Sequence, residues 1–273
     1  MGILFRKLQI IFFCVMNVVQ NFLTFSLFYG TESGFGHFSA AHLWHLLLIF
    51  VFLTAFCVFY RQSGGKRKKA LRLLIAGGNA ALTFLRAALL IAAGQYGVER
   101  LPLHLCGMAV YICLFHALRP GKLSAQFLLA FCMPGALAAI LFPDWTTSPP
   151  WSVISVFNFS IHALIACYVL MQLAAGDIRR EAKLLPACLG LMLLIAAPVY
   201  AFNLASGTNF MFLNYPAPNS PLELFSFLGR PGYILGYLPM IGAVWAAIYL
   251  PHSLPSQSPA TAGLRRKRKN EGA

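Results

Sequence analysis

The sequence predicts an all-α protein, a polytopic transmembrane helical bundle of seven core helices with an extra helix at the N-terminus. Three observations lead to this prediction. Hydrophobic residues make up 59% of the 273 residues and charged residues only 10%, whereas a soluble domain carries about 25% charged residues. The mean hydropathy is +0.71. Basic residues cluster in short runs between long apolar segments. An apolar excess of this size has to face lipid.

Eight apolar windows are long enough to cross a bilayer, which takes about 20 helical residues. In chain order they cover residues 8–29, 42–60, 71–94, 101–118, 124–142, 152–174, 184–205 and 232–250. Gly and Pro in the connectors end these helices, as at Pro149-Pro150 and Pro216-Ala217-Pro218. In the fourth window, Pro102 suits the first turn of a helix, where its missing N–H costs nothing.

The basic residues predict the orientation of the bundle. Alternate connectors and the two termini hold 18 of the 21 Lys and Arg residues. Arg100 and Arg230 lie on the other side, and Arg86 lies within a window. Positive residues concentrate on the cytoplasmic side of membrane proteins. The sequence therefore predicts a multi-pass protein of the cell membrane with a cytoplasmic C-terminal tail.

The first window is the least regular of the eight. Asn17, Gln20, Asn21 and Thr24 form a polar stripe on one helical face. That stripe could face the bundle interior, or the helix could lie in the interface. A basic N-terminus favours a true span. The apolar stretch is too long for a cleaved signal peptide, and no small-x-small site ends it.

These patterns divide the chain into three parts. Residues 1–35 form an N-terminal hydrophobic helix with an external linker, residues 36–252 form the seven-helix core, and residues 253–273 form a basic tail that we expect to be disordered. The basic residues make no continuous basic face, so we expect no nucleic-acid partner. The seven cysteines follow no disulfide or zinc spacing, and six of them lie within apolar segments.

The polar residues of interest gather at the external ends of the predicted helices. Ionisable groups inside a membrane are costly and usually face the bundle interior. Three of them suit acyl chemistry: His104 and Cys106 at the mouth of the fourth window, and His162 two turns into the sixth. A thiolate paired with a distant histidine is a known nucleophile arrangement. The alternative is that Cys106 fills the core and His104 and His162 are structural.

Five further residues are candidates for substrate binding. They are His42, Arg86, Asp144, Asn203 and Asn209. Burying the charge of Arg86 costs at least about 2.5–3.5 kcal/mol, so a partner is implied. That partner could be an anionic head group or a structural network. A cluster of His42, His104, Asp144 and His162 could also bind a metal, but the His-Glu-x-x-His pattern is absent. We expect neither a metal nor a cofactor.

Several motifs resemble those of the bacterial YwaF-type integral membrane proteins over roughly residues 36–250. They are Phe38-Ser39-x-x-His42, Leu101-Pro102-Leu103-His104-Leu105-Cys106, Pro143-Asp144, His162, Gly207-Thr208-Asn209-Phe210-Met211-Phe212-Leu213 and Leu228-Gly229-x-Pro231-x-Tyr233. The resemblance implies a seven-helix bundle of unsettled activity. The N-terminal stretch departs from this pattern.

The same motifs are more distantly similar to the eukaryotic transmembrane protein 164 family, which resembles a cysteine-dependent acyltransferase of ether phospholipids. In that pattern the nucleophilic cysteine directly precedes the motif histidine, a position occupied by Leu103 here. Cys106 would have to act from the next turn.

The resemblance and the polar cluster together predict an acyl hydrolase or acyltransferase acting on membrane lipids, with a phospholipid or acyl-chain substrate. His162 would be the base, His104 would polarise the carbonyl, and Cys106 is the candidate nucleophile. A transporter or binding protein for a small solute or lipid is the alternative, and a purely structural role is the third. A polar path through the bundle would favour transport.

Overall fold

The computed structural model describes residues 34–218 and 220–253, together with Arg6, Gln9 and Phe12. Apart from single residues, the predicted helix over 8–29 and the predicted tail over 253–273 lie outside this part of the chain.

Seven helices form the bundle in the described residues, and no strand occurs among them. They are α1 (Ala40–Gln62), α2 (Gly65–Ala92), α3 (Leu105–Leu118), α4 (Lys122–Leu141), α5 (Val153–Ala174), α6 (Leu185–Ser206) and α7 (Tyr237–Ser253). Six helical segments are long and apolar enough to span a membrane, and α3 is a shorter apolar helix. The predicted all-α transmembrane bundle is therefore confirmed.

Helix α5 lies at the centre of the bundle and packs against α1, α2, α3 and α4. The apolar windows of α4 and α5 are 61% buried, whereas those of α1 and α6 are only 11% buried. Large apolar side chains such as Leu48 and Leu194 project outward from these peripheral helices. An apolar outer surface around a packed centre is what a lipid solvent requires.

Helix α3 is shorter than the predicted window over 101–118. It begins at Leu105, and His104 is its N-cap residue. The prediction that Pro102 opens the helix is wrong, because Pro102 lies in a turn three residues before the helix. Pro102 also disfavours helical geometry in Leu101, whose ψ is 146°. The 14 residues of α3 span about 21 Å, less than the roughly 30 Å of a bilayer's hydrocarbon core.

Helix α4 contains a π-helical stretch over Leu128–Cys132. Pro134 follows it and has no N–H to offer the carbonyl oxygen of Ala130, four residues earlier. The indole N–H of Trp245 donates to that oxygen instead, at 3.2 Å. The bond joins α7 to α4 and satisfies a backbone group that lipid could not.

The end of the bundle where α1 stops at Gln62 and α2 starts at Gly65 carries the basic connectors, and we call it the basic end. The hydroxyl of Tyr60 donates to Asp177 at 2.7 Å, and Lys68 and Arg72 form ion pairs with the same carboxylate. These contacts join α1, α2 and the turn after α5.

A second polar cluster closes the basic end beside α4. The amide oxygen of Gln126 accepts from the hydroxyl of Tyr249 at 2.9 Å and from the backbone N–H of Glu181 at 3.1 Å. Its amide nitrogen donates to the carbonyl oxygen of Arg179. Gln126 is 2% exposed. Gln126 therefore joins α4 to α7 and to the segment that follows α5 at this end.

Candidate functional site

The opposite end of the bundle, where α3 begins and α4 ends, holds most of the residues singled out from the sequence, and we call it the site end. His104 lies there as the N-cap of α3. Its Nδ1 lies 3.2 Å from the backbone nitrogen of Met211, which donates to it. In a neutral ring the proton must then sit on Nε2, which becomes a hydrogen-bond donor.

Burial, together with His162 and Arg86, lowers the pKa of His104 to about 4. The ring is therefore neutral at neutral pH. Phe210 and Phe212 flank it, with ring centroids 5.2 and 5.3 Å away. His104 is thus a fixed, uncharged donor in an aromatic setting.

The backbone that holds His104 adopts an unusual conformation. Met211 and Phe212 have φ values of 56° and 52°, a left-handed region that costs a non-glycine residue about 1–3 kcal/mol. The hydroxyl of Tyr237 donates to the carbonyl oxygen of Met211 at 2.9 Å, and that of Tyr233 donates to Phe212 at 2.7 Å. The Met211 peptide is therefore held on both sides, by His104 and by α7.

Asn203 organises the turn that follows α6. It is fully buried, and its amide oxygen accepts from the backbone N–H of Phe210 and from the hydroxyl of Thr208, both at 2.9 Å. Its amide nitrogen donates to the carbonyl oxygen of Phe210, also at 2.9 Å. We expected Asn203 to bind substrate, but the turn itself occupies its amide group.

Asn209 has a similar role further along the same loop. Its amide oxygen accepts from the backbone N–H groups of Asn214 and Tyr215, at 2.9 and 3.2 Å. Its amide nitrogen donates to the carbonyl oxygen of Tyr215 at 2.9 Å. Asn209 therefore shapes the loop, and it also lies in the wall of a pocket at the site end.

His162 presents the opposite hydrogen-bonding character to His104. Its Nδ1 lies 2.7 Å from the carbonyl oxygen of Asn158, one turn earlier in α5. A carbonyl can only accept, so Nδ1 carries the proton and Nε2 of the neutral ring has a free lone pair. Within the described residues Nε2 makes no hydrogen bond. The ring stacks on Trp145, with centroids 5.3 Å apart and planes 23° apart.

Asp144 and Arg86 bring opposite charges to the site end. Asp144 keeps contact with solvent at the pocket. Loss of surrounding water raises the pKa of its carboxyl group, while His162, Arg86 and Arg100 oppose that rise. The Nε of Arg86 is buried and has no hydrogen-bond partner among the described residues. Among the described residues Arg86 forms no ion pair, and it lies within electrostatic reach of Asp144 and His104.

These groups surround a pocket of about 220 Å³. It is lined by Glu99, His104, Asp144, Thr208, Asn209, Phe210, Phe212 and Tyr215. A water molecule takes about 30 Å³, so the pocket fits a small polar group such as an ester rather than a whole lipid. His162 is not one of the lining residues, but it interacts electrostatically with Asp144 and His104, which are.

Two predicted residues are placed elsewhere. Cys106, the second residue of α3, is partly buried and packs against the main hydrophobic core. It interacts electrostatically with Arg86 and Asp144, but within the described residues it forms no hydrogen bond with His104 or His162. His42 is fully buried, and backbone groups occupy both of its ring nitrogens.

Four residues of this region are not among the predicted site residues: Glu99, Thr208 and Tyr215 in the pocket wall, and Trp145 against His162. Thr208 belongs to one of the motifs and Trp145 directly follows another, which was the available signal. Among the described residues, no three His, Cys, Asp or Glu side chains come together in a way that could hold a metal ion.

One family model, described as the TMEM164 family, matches residues 37–249. No curated protein and no solved structure matches the chain. The family match confirms the resemblance to transmembrane protein 164 and leaves the YwaF-type label unconfirmed. Its span covers all seven described helices except the last turn of α7.

Proposed function

We propose that this chain, which belongs to the TMEM164 family and is a multi-pass membrane protein, is an enzyme that acts on the acyl groups of lipids. It would hydrolyse an acyl ester or transfer the acyl group to another alcohol. One observation carries the proposal: His104, which lines the pocket, and His162, which interacts electrostatically with it, have complementary tautomers. The first offers an N–H and the second offers a lone pair.

Acyl transfer needs both of these groups. In the proposed reaction Nε2 of His162 takes the proton of an attacking hydroxyl, directly or through one water, as that oxygen bonds to the acyl carbon. The carbonyl oxygen becomes an oxyanion, and Nε2–H of His104 donates a hydrogen bond to it. When the carbon–oxygen bond to the leaving alcohol breaks, the proton on His162 passes to the leaving oxygen. Water as the attacking group gives hydrolysis, and an alcohol gives transfer.

The surrounding charges suit this chemistry. Asp144 interacts electrostatically with His162, and a carboxylate beside the base stabilises the imidazolium that forms. The Nε of Arg86 has no hydrogen-bond partner among the described residues, and a guanidinium matches phosphate oxygens well. We therefore propose that Arg86 binds the phosphate of a phospholipid and that the ester group occupies the pocket.

A thioester intermediate on Cys106 is the variant of this mechanism that the family resemblance suggests. Cys106 lies in the first turn of α3, where Arg86 favours a thiolate but burial and the nearby Asp144 oppose it. Among the described residues Cys106 also forms no hydrogen bond with either histidine, so the oxygen nucleophile comes first in our proposal. Substitution of Cys106 separates the two routes.

The closed basic end supports an enzyme over a transporter. A transport path would continue through the bundle as polar residues lining a cavity. Here the polar residues of the basic end, such as Gln126 and Tyr60, are buried and bonded to one another and to the backbone. The polar residues described at this end are thus bonded to one another and to the backbone, as expected of a closed end.

We place the basic end in the cytoplasm of a cell-membrane protein, because alternate connectors and the two termini carry 18 of the 21 Lys and Arg residues. The pocket then faces the external leaflet. Membrane lipids are accordingly the partners that we propose.

The test compares the lipids of cells that express wild type, His162→Ala or Cys106→Ala with those of cells carrying an empty vector, by mass spectrometry. His116→Ala is the matched histidine control, because His116 is buried at the other end of α3, where it bonds Tyr168 at 2.8 Å. Cys113→Ala is the matched cysteine control, since Cys113 is fully buried two turns along the same helix.

We expect a change in phospholipids or free fatty acids that wild type and both controls produce and His162→Ala does not. If Cys106→Ala also loses it, and loses labelling by an acyl-thioester probe, the thioester route is correct. A profile of His162→Ala that equals wild type would sink the proposed enzyme.

A further inference from the structure

Two histidines near the start of α1 have no role in the proposed acyl chemistry. His42 is 0% exposed and His45 is 5% exposed, and neither lines the pocket at the site end. His42 reaches the last turn of α4, and His45 reaches the connection between α4 and α5, residues 142–152.

His42 caps the end of α4 from another helix. Its Nδ1 accepts the backbone N–H of Phe38 at 2.9 Å, so its proton sits on Nε2. Nε2 then donates to the carbonyl oxygen of Ile140 at 2.9 Å. The last carbonyls of a helix have no partner within it, and α4 ends one residue later, at Leu141. His42 supplies the missing donor.

His45 holds the other end of the connection. Its Nε2 lies 2.7 Å from the carbonyl oxygen of Pro150 and donates to it. The ring is sandwiched between Trp151 and Phe159, with centroids 4.1 and 4.3 Å away. These two contacts leave the His45 ring one orientation. The hydrogen bond from His45 therefore fixes the Pro150 carbonyl group relative to α1.

The middle of the connection is fixed from the same stretch of chain. The backbone N–H of Phe35 donates to the carbonyl oxygen of Thr146 at 2.9 Å. Gly34 passes so close that a Cβ there would lie 2.3 Å from the same oxygen. Residues 34–45 therefore fix one carbonyl group in the last turn of α4 and two along the connection between α4 and α5.

The connection carries two side chains that matter to the site. Asp144 lies in the wall of the pocket, and the ring of Trp145 stacks on His162. We propose that His42 and His45 are positioning residues, which set Asp144 and Trp145 against His162 by anchoring both ends of this connection to α1. The assignment of His162 as the base rests on the proposed function, whereas the anchoring does not.

Substitution of His42 or His45 by glutamine or by asparagine distinguishes this positioning role from a general structural role. The amide nitrogen of Gln reaches the place of Nε2 of His, whereas the amide of Asn reaches only the place of Nδ1. His42→Gln keeps a donor for Ile140, and His42→Asn keeps only an acceptor for Phe38. His45→Gln keeps the donor for Pro150, and His45→Asn loses it. The two pairs of variants test the two ends of the connection independently.

The first readout is hydrogen–deuterium exchange of residues 142–152 in purified full-length protein. Losing one anchoring hydrogen bond should raise local exchange roughly two- to tenfold. We expect that rise in His42→Asn and His45→Asn but not in the Gln variants, with exchange in α2 and α7 unchanged. The second readout is the lipid change that depends on His162, which should fall in the Asn variants and persist in the Gln variants.

Two outcomes would overturn the inference. One is equal exchange of residues 142–152 in the Gln and Asn variants at both positions. The other is faster local exchange in the Asn variants while the His162-dependent lipid change stays intact. If wild type produces no lipid change at all, the proposed enzyme fails, and the exchange data still decide whether α1 anchors Asp144 and Trp145.

Discussion

Nδ1 of His104 accepts the backbone N–H of Met211, at 3.2 Å, across more than 100 residues of chain. This bond fixes which nitrogen of His104 carries the proton, and it links the start of α3 to the loop between α6 and α7. The loop therefore determines which ring nitrogen of His104, a residue of the pocket wall, is a hydrogen-bond donor.

Stability should depend on pH through His104. Its pKa is about 4 in the folded protein and about 6.5 in an unfolded chain. Between these values the unfolded state binds a proton that the folded state does not, so stability should fall as pH falls from about 6.5 to about 4. Thermal unfolding midpoints in detergent should show this, with a shallower slope in His104→Gln. An unchanged slope in that variant would contradict the assignment.

Tyr237→Phe should weaken the support of the Met211 peptide. It removes one hydrogen bond to a strained carbonyl, so we expect a loss of about 0.5–1.5 kcal/mol in unfolding free energy. The lipid change should fall as well, because the Met211 N–H would hold His104 less firmly. Tyr111→Phe is the control, since Tyr111 is an exposed tyrosine on α3. Equal effects in the two variants would count against the link.

Asn203→Ala should destabilise the turn after α6 more than Asn214→Ala does. Removal of the Asn203 side chain leaves the backbone N–H of Phe210 unpaired and its carbonyl oxygen with only the bond from Leu213, at about 1–3 kcal/mol for the unpaired buried group. The side chain of Asn214 makes one bond, to Thr208. Unfolding midpoints of the two variants measure the difference. The reverse order would show that the turn does not depend on Asn203.

Asp177→Asn should cost stability and spare the lipid change. It weakens the carboxylate contacts with Tyr60, Lys68 and Arg72 at the basic end, which are partly exposed, so the loss should be about 1–2 kcal/mol. The pocket lies at the opposite end. Chemical unfolding and the lipid profile test this together. A lost lipid change in a stably folded variant would favour a path through the basic end, as in a transporter.

Pro134 and Trp245 should be coupled through Ala130. Trp245→Phe removes the donor to the Ala130 carbonyl, at about 1 kcal/mol. In a Pro134→Ala background the new N–H at position 134 can bond that carbonyl, so the same change should cost much less. A double-mutant cycle on unfolding free energies measures the coupling. Additive costs would mean that the proline does not create this acceptor.

The transmembrane architecture could be predicted because a lipid environment restricts which residues the helices and their connectors can contain. Helices of about 20 apolar residues and alternating basic connectors leave few other arrangements. The predicted start of α3 is wrong because the helix begins at Leu105, with His104 as its N-cap residue. A proline and the extended residue before it suit a helix start and a turn equally well, so the local sequence at Pro102 does not distinguish the two.

The candidate site could be predicted only as a set of residues. His104, Asp144 and His162 stand out in the sequence as polar groups near one end of the apolar windows, and the structure places them within electrostatic reach of one another. The tautomers of the two histidines depend on partners that no local pattern predicts. The contact of His42 with Ile140 spans 98 residues, which is why the sequence suggests substrate binding rather than anchoring for this histidine.

The short span of α3 sets the depth at which the chemistry would occur. If Arg119 and Lys122 hold the far end of α3 at one interface, its 14 residues reach about 21 Å upward and stop roughly 9 Å below the opposite interface. His104 then sits on the acyl-chain side of the ester linkages, below the level of the head groups. A membrane lipid reaches that depth by moving sideways within its own leaflet, whereas a water-soluble ester would first have to leave water.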